Sequence, residues 1–182
     1  YMNDSHKFAI VDKRVVNKEE ASVSITSVSL QYAFSVYESI KVIKSQPVYA
    51  PDHINRLFYS AEGIHLSHSF SSDDILISLY ELIKANELKS ATVRILLTGG
   101  DCPHLFITSD TMLSYPKSYY TDGVSVTTYV GERFLPQYKT SALLMNYLAL
   151  KEARSKGCFE ALLIDRENNA LEGTRSNVFA IK

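Results

Sequence analysis

Two segments of helical periodicity, set between runs rich in β-forming residues, constrain the fold of this chain most strongly. The first carries one apolar stripe with residues three and four positions apart: Ile54, Leu57, Phe58, Ala61 and Ile64. The second carries another such stripe: Ile75, Leu76, Leu79, Leu82 and Ile83. Pro51 and Asp52 begin the first helix, and Ser71, Ser72 and two aspartates suit the start of the second. Because amphipathic helices bury their apolar stripes on another element, a mixed α/β domain is expected.

Strands are predicted around these helices. Phe8–Val11 and residues 15–16 flank a polar turn and predict a hairpin, and residues 37–43 and 48–50 predict a second one. Alternation is weaker over residues 23–30, which are still expected to form a strand. Residues 92–98 and 105–108 predict two more strands, joined through Gly99 and Gly100.

The second half is expected to form another domain. Pro116, Tyr119, Tyr120 and the Asp122-Gly123 pair break the periodicity, so we predict a domain over residues 1–116, a linker at 117–122 and a second domain at 123–182. In that domain we predict strands at 123–130, 161–164, 170–171 and 177–181, and a helix over 140–156 that Gly157 closes. One helix and four short strands have little core, so this domain is expected either to be incomplete or to borrow surface from elsewhere.

Composition excludes several classes of protein. The 182 residues carry 19 Lys+Arg against 20 Asp+Glu, so no basic excess indicates a nucleic-acid or membrane surface. Two cysteines are too few for a disulfide framework. No apolar run is long enough to span a bilayer, and the polar opening Tyr1–Lys7 does not look like a signal peptide. A soluble, cytoplasmic α/β protein is therefore expected.

Three charged positions are candidates for chemistry, although each by itself is more simply explained as a solvated side chain. Arg56 lies in the first turns of a helix, where its guanidinium could hold a phosphate. Lys139 precedes an apolar helix, and a lysine held near apolar surface can lose its proton and form a Schiff base. Glu172 follows a short strand. No metal site is predicted, since the histidines lack partners at ligand spacing.

The order of these positions resembles that of a known family. The stretch YKTSALLMNYLALKEARSKGCFEALLIDRENNALEGTRSNVFAIK is similar to the lysine, the E-A-x-x-x-G helix end and the E-G-x-x-S-N turn of fold-type IV pyridoxal-phosphate enzymes, the class IV aminotransferases. Upstream, VYESIKV, HINRLFYSAEGI and VRILLTGG resemble three further family segments. The resemblance covers nearly the whole chain. It implies a D-amino-acid-aminotransferase-like fold with a small N-terminal α/β domain and an incomplete large domain.

The resemblance also implies roles for residues. Lys139 matches the lysine that forms the Schiff base with pyridoxal 5′-phosphate and moves the proton. Arg56 matches the arginine that binds the cofactor phosphate, and Glu172 the carboxylate at the pyridine nitrogen. Ser176 and Asn177 fall in the turn beside the cofactor ring.

Substrate residues are less uniform. Tyr32, Tyr37 and Glu38 line up with the strand whose side chains face the substrate in the family, and Tyr37 is the first candidate among them for substrate contact. Arg94 aligns with an arginine of branched-chain enzymes. Leu143 instead matches D-amino-acid transaminases, whose carboxylate-trapping arginine is Gly99 here.

The resemblance therefore implies an aminotransferase that moves an amino group from an amino acid to a 2-oxo acid, with a branched-chain L-amino acid as the first expectation. The alternatives are a D-amino-acid transaminase, a lyase acting on 4-amino-4-deoxychorismate and a non-catalytic truncated fragment. A homodimer is expected, with no nucleic-acid or membrane partner.

Overall fold

The computed structural model describes residues 6–181, so most of the polar opening Tyr1–Lys7 and the last residue of the predicted second domain lie outside the described residues. The chain forms two compact units. The first contains the residues through Leu113 together with Gln137–Ser141, and the second contains Ser114–Pro136 and the residues from Ala142 onward. Sequence analysis placed residues 137–141 in the second domain, whereas in the structure they pack with the first unit.

The first unit is an antiparallel sheet with two long helices. Its elements are β1 (Phe8–Val11), β2 (Arg14–Asn17), a 3-10 turn (Lys18–Glu20), α1 (Val28–Gln31), β3 (Ser35–Ile43), β4 (Gln46–Pro47), α2 (Ala50–Gly63), α3 (Ser72–Ala85), β5 (Ser90–Thr98) and β6 (His104–Thr111). The sheet has six strands in the order β2-β1-β6-β5-β3-β4. β3 and β5 pair over their whole length, from Ser35 opposite Thr98 to Ile43 opposite Ser90.

The core of the first unit lies between the sheet and the two helices. The fully buried members include, from the helices, Ile54, Leu57, Ile75, Leu79 and Leu82, and from the strands, Ile10, Ile40, Val93, Ile95 and Ile107. The helical stripes read from the sequence are therefore the buried faces, and the predicted α/β class is confirmed. α2 packs on β3, and α3 packs on β1 and β6.

Short turns set the register of the hairpins. Lys44 and Ser45, between β3 and β4, both have positive φ, at 51° and 58°. Asp12 and Lys13, between β1 and β2, also have positive φ, at 48° and 71°. Two successive left-handed residues match the twist of antiparallel strands, so these two-residue loops close tight hairpins. The predicted first hairpin and the β3–β4 hairpin are both present.

Two strand predictions in this unit are wrong. Residues 23–30 form no strand, because the Ser27 side chain accepts a hydrogen bond from the Leu30 backbone N–H and starts α1. Residues 48–50 form no strand either, since β4 ends at Pro47 and α2 begins at Ala50. Tyr49 between them has φ of 52°, a left-handed conformation that ends the extended run.

The second unit is smaller. It contains α4 (Ser118–Thr121), β7 (Val126–Val130), α5 (Leu144–Ser155), β8 (Glu160–Ile164) and β9 (Ala170–Gly173). β7 and β8 are parallel and α5 connects them, while β9 pairs antiparallel with β8. Its buried apolar cluster consists of small and medium side chains, namely Ala149, Ala153, Ala161 and Leu163.

Two further predictions fail in the second half. The helix expected from residue 140 begins at Leu144, because residues 137–141 use their backbone groups to pair with β3. Residues 177–181 form no strand, and within residues 6–181 no strand pairs with them. The end of α5 is as predicted: Gly157 has φ of 72° and its N–H donates to the Arg154 carbonyl.

The capping box of α3 provides a test of how the first unit is stabilised. The Ser71 hydroxyl accepts from the Asp74 N–H at 3.1 Å, and the Asp74 carboxylate accepts from the Ser71 N–H at 2.9 Å. Ser71→Ala removes the first bond, so we expect the free energy of unfolding to fall by about 1 kcal/mol in urea titrations followed by circular dichroism. Ser72→Ala, one residue later and outside the box, is the control and should change it by less than about 0.5 kcal/mol.

Candidate active site

The main chain of Lys139 is fixed by hydrogen bonds on both sides. Its N–H donates to the buried Ser60 hydroxyl of α2 at 3.0 Å, and its carbonyl accepts from the Tyr37 N–H of β3 at 3.0 Å. Thr140 forms an antiparallel bridge with Val36. On one edge of β3, Val36 pairs with Leu97 of β5. Residues 137–141 therefore pair with the opposite edge of β3, which is the edge that β4 joins near the other end of the strand.

The side chain of Lys139 belongs to a group that we call the Tyr37 cluster: Tyr37, Arg94 and Lys139. The Lys139 Nζ lies 4.7 Å from the centroid of the Tyr37 ring, and the Arg94 guanidinium carbon lies 4.2 Å from it. Arg94 reaches the ring because Tyr37 is opposite Leu96 in the β3–β5 pair, which places Arg94 two residues along on the same face. The electron-rich face of an aromatic ring attracts both cations.

The Tyr37 cluster is a place for an anionic group. Within residues 6–181 neither Lys139 nor Arg94 has an ion-pair partner, so their charges are not neutralised by a protein carboxylate. Arg94 is exposed, and Tyr37 and Lys139 are half-buried. Two cations beside one ring at a surface favour the binding of an anion.

The residue before Lys139 packs against α2. The ring of Tyr138 lies 5.4 Å from that of Tyr59, centroid to centroid. A Cβ atom added to Gly63, at the end of α2, would overlap the Tyr138 ring. The absence of a side chain at Gly63 therefore makes room for Tyr138 and for the path of the chain into Lys139.

Arg56 is held by a buried carboxylate that sequence analysis assigned to the substrate strand. Arg56 Nε and Nη2 donate to the two oxygens of Glu38 at 2.5 and 2.8 Å, and His53 Nδ1 lies 2.7 Å from Glu38 Oε2. The Glu38 side chain is fully buried on the face of β3 that α2 covers, whereas 53% of the Arg56 side chain is exposed. Glu38 thus uses Nε and Nη2, which leaves the Nη1 edge of the guanidinium to meet a ligand.

Glu38, Arg56 and His53 form a group that we call the Glu38 clamp, and its hydrogen bonds keep Glu38 and Arg56 charged. Burial by itself would raise the pKa of Glu38, but the hydrogen bonds from Arg56 and His53 outweigh it and the pKa is lowered. The hydrogen bond to Glu38 raises the pKa of Arg56. Both groups are therefore ionised at neutral pH, and a bidentate fork fixes the direction of the guanidinium.

In the second unit, Glu172 pairs with an arginine that sequence analysis missed. Glu172 lies on β9 opposite Leu163, and its Oε1 accepts from Arg133 Nε at 2.7 Å. Arg133 also donates from Nη2 to the Pro136 carbonyl at 2.7 Å, and 12% of its side chain is exposed. One oxygen of Glu172 is thus used by the protein, which leaves Oε2 for a ligand.

The turn after Glu172 is tied to Glu160. The Glu160 carboxylate, 5% exposed, accepts hydrogen bonds from the Thr174 hydroxyl, from the Ser176 hydroxyl at 3.0 Å and from the Ala161 N–H at 2.9 Å. The Ser176 hydroxyl is therefore directed to the protein. Asn177 is exposed and belongs to the irregular segment that follows.

The structure brings some of the predicted residues together. Lys139, Tyr37 and Arg94 share one cluster in the first unit, and Arg56 of the same unit is paired with Glu38. Glu172 and Ser176 lie on one strand and its turn in the second unit. Tyr32 precedes β3, at the end of α1, and its side chain is 76% exposed.

Sequence reasoning missed the supporting roles of the two acids and the arginine that hold these groups, Glu38, Glu160 and Arg133. Two of them carried a signal. Glu38 interrupts the apolar face of a strand, and Glu160 begins one. A buried carboxylate has to be hydrogen-bonded or paired, so a charged residue at a core position predicts a partner nearby.

Two other kinds of site were sought over residues 6–181. No group of three or more His, Cys, Asp or Glu side chains could hold a metal ion there. Over the same residues, none of the helices has the length and apolar character that a bilayer crossing requires.

Comparison with known proteins gives one family. The model of the family "Amino-transferase class IV" matches residues 35–182. The chain is 30% identical to the D-alanine aminotransferase of Bacillus licheniformis over 180 residues, and 27% identical to a putative branched-chain-amino-acid aminotransferase of Methanocaldococcus jannaschii over 186 residues. Each match covers 93% of this chain but only 63% of the relative.

Solved structures give the same fold. The branched-chain aminotransferase of Thermoproteus uzoniensis with norvaline superposes with a TM-score of 0.81 at 25% identity, covering 92% of this chain and 62% of that one. A second branched-chain amino acid aminotransferase, solved with pyridoxamine 5′-phosphate, has a TM-score of 0.84 at 21% identity, with 94% and 64% covered. The chain thus spans less than two thirds of these proteins.

The Glu38 clamp predicts a pH dependence of stability. The folded-state pKa of Glu38 is below its ordinary value of 4.5, so its stabilising contribution is fully present above that value and is lost as the pH falls through the lower, folded pKa. Urea titrations at neutral and at acidic pH measure how far the free energy of unfolding falls between the two. We expect this fall to be smaller for Glu38→Gln than for the unsubstituted chain. Glu81→Gln, an exposed exchange on α3, is the control; an equal loss in all three chains would contradict the prediction.

The packing of Gly63 against Tyr138 gives a second prediction. Gly63→Ala forces the Tyr138 ring to move, which should cost about 1–3 kcal/mol of unfolding free energy as overpacking does. In a Tyr138→Leu background the same exchange should cost much less, because the overlapping ring is gone. Thermal and urea unfolding of the four proteins of this cycle measures the coupling, and additive effects would disprove the contact.

Proposed function

The chain belongs to the class IV aminotransferase family, and from that premise we propose that it is part of a pyridoxal-phosphate-dependent aminotransferase with Lys139 as its catalytic residue. The single observation that carries the proposal is the position of Lys139: an amine fixed through its main chain to α2 and β3, beside a second cation on the Tyr37 ring. This arrangement presents a primary amine to an anionic ligand.

Each of three donor groups matches one part of pyridoxal 5′-phosphate in its chemistry. A primary amine, a guanidinium with a free edge and a carboxylate with a free oxygen are the three groups that its aldehyde, phosphate and ring nitrogen require. We assign them to Lys139, Arg56 and Glu172, with the turn at Ser176 and Asn177 beside the ring. A relative of this fold carries pyridoxamine 5′-phosphate, which supports the assignment.

The bound cofactor supplies an electron-accepting ring for the carbanion left when the substrate loses its Cα proton. The chain's own groups do the rest. Glu172, which is held by Arg133, would bind the ring nitrogen of the cofactor and favour its protonated form. Arg56 would bind the phosphate through its guanidinium, whose direction Glu38 fixes. The Lys139 amine would hold the cofactor through its aldehyde carbon, and the same nitrogen would take the substrate Cα proton and return it.

Substrate binding is assigned to Tyr37 and Arg94. The Arg94 guanidinium, stacked on the Tyr37 ring, suits the carboxylate of an amino acid or of a 2-oxo acid. We propose branched-chain L-amino acids as donors, because Arg94 aligns with an arginine of branched-chain enzymes. D-Amino acids are the second candidate, because a D-alanine aminotransferase is among the relatives at 30% identity.

We further propose that the protein acts as a homodimer in the cytoplasm. Apolar side chains of the first unit are well exposed, among them Ile25 at 81% and Leu30 at 57%, and a second copy could cover them. Cys102 and Cys158 are both free thiols, which suits a reducing compartment.

The first experiment is to trap the lysine. After incubation with pyridoxal 5′-phosphate and reduction with borohydride, peptide mass spectrometry should find the adduct on Lys139, because a reduced Schiff base is covalent. Lys139→Ala should remove this adduct and its visible absorbance. Lys151→Ala, an exposed lysine of α5, is the matched control and should leave both unchanged.

Amino transfer is measured next, with L-leucine or D-alanine as donor and 2-oxoglutarate as acceptor. The adduct with turnover of either donor supports the function, and the donor that is used decides the substrate class. Adducts spread over several surface lysines, without enrichment at Lys139, would contradict the proposed role.

A further inference from the structure

Glu160 is a carboxylate of the second unit that the fold removes from water. It is buried at the start of β8, yet within residues 6–181 no cation pairs with it. Burial by itself would raise its pKa, but hydrogen bonds from Thr174, Ala161, Ser176 and the Arg175 backbone outweigh burial and lower it. Burying an ionised carboxylate among neutral donors alone costs free energy, and the small core of the second unit has few apolar contacts to offset that cost.

The donors to Glu160 concentrate in one turn. Thr174 and Ser176, which are two residues apart, both give their hydroxyls. The turn is also closed on itself, since the Gly173 N–H donates to the Ser176 carbonyl at 3.2 Å. A Cβ atom on Gly173 would overlap the Ser176 side chain, so this closure requires glycine.

A second buried side chain holds the same turn from the helix. Asn146 of α5, 5% exposed, donates from Nδ2 to the Thr174 carbonyl at 3.0 Å. The Thr174 N–H donates to the Ala161 carbonyl at 3.2 Å, which continues the β8–β9 ladder by one residue. Thr174 is thus fixed by its backbone and its side chain, from both β8 and α5.

The strand that precedes this turn is weak by itself. β9 has four residues, pairs with β8 alone among the strands of residues 6–181, and its register shifts opposite Leu163 and Ile164. The ends of short strands fray unless they are fixed. Glu172 is the third residue of β9, so the hydrogen bonds that fix Thr174 and Ser176 also determine where the Glu172 carboxylate stands.

We propose that Glu160 is a positioning residue that fixes the Glu172 carboxylate through the turn at residues 173–176. Glu160 does not touch the cofactor; it acts by preventing the end of β9 from fraying. The inference rests on the proposed function, because it assumes that Glu172 meets the ring nitrogen of pyridoxal 5′-phosphate.

The test compares two ligands that differ at that nitrogen alone. Pyridoxal 5′-phosphate and its analogue with C–H in place of the ring nitrogen are titrated by calorimetry. The dissociation constant of the analogue divided by that of pyridoxal 5′-phosphate measures the contribution of Glu172. Glu160→Gln keeps the shape but cannot accept every bond, so we expect this ratio to fall about tenfold, the equivalent of one charge-assisted hydrogen bond. Affinity for the analogue should stay the same. Glu167→Gln, on an exposed loop, is the control.

Two further proteins separate positioning from general stability. Glu172→Gln should lose the same preference, and adding Glu160→Gln to it should cause no further loss, because both act at one contact. A purely structural role would weaken both ligands equally and leave the ratio unchanged, which would overturn the inference. Should Glu160→Gln not fold, Thr174→Val gives the same test: a reduced ratio, restored by Thr174→Ser, supports the inference, and an unchanged ratio overturns it.

The outcomes also distinguish the two proposals. An unsubstituted chain that forms the Lys139 adduct and prefers the nitrogen-containing ring, with a Glu160→Gln variant that keeps this preference, would overturn the inference alone. An unsubstituted chain that binds neither ligand would overturn the proposed function and the inference together.

Discussion

The pairing of residues 137–141 with the edge of β3 is the interaction on which the candidate site depends. It takes a segment that lies between two elements of the second unit and fixes it in the first. Backbone hydrogen bonds give it a defined register, with the Lys139 carbonyl opposite the Tyr37 N–H. That register, rather than any contact of the amine itself, places Nζ beside the Tyr37 ring, because neighbouring backbones fix the side chains they carry.

Buried carboxylates support the functional groups in both units, in two different ways. Glu38 is neutralised by a guanidinium and in turn directs Arg56, so positive charge and orientation are set by one ion pair. Glu160 has only neutral donors and directs a turn instead of a charge. In both, the low-dielectric surroundings strengthen the hydrogen bonds that are made and penalise any that are lost. Such groups define one geometry more sharply than apolar packing of equal size would.

Membership of the class IV aminotransferase family accounts for the order of these groups along the chain, from the β3 strand to the turn after β9. The relatives include both D-alanine and branched-chain-amino-acid aminotransferases at similar identity, so sequence similarity alone does not choose the substrate. The features that bear on the choice are local. Arg94 of β5 places a guanidinium on the Tyr37 ring, whereas Gly99, directly after that strand, has no side chain to contribute.

The sequence by itself determined the helices α2 and α3, the first hairpin and the central strands, because periodicity, capping residues and turn residues are local signals. Motif order also identified the family. Only the tertiary structure decided that residues 137–141 extend a sheet edge instead of starting α5, and that residues 23–30 form a capped turn of helix. It also decided the partners of the acids Glu38, Glu160 and Glu172. These outcomes depend on contacts between groups that lie far apart in the chain. A local sequence pattern carries no information on the free energy of such contacts.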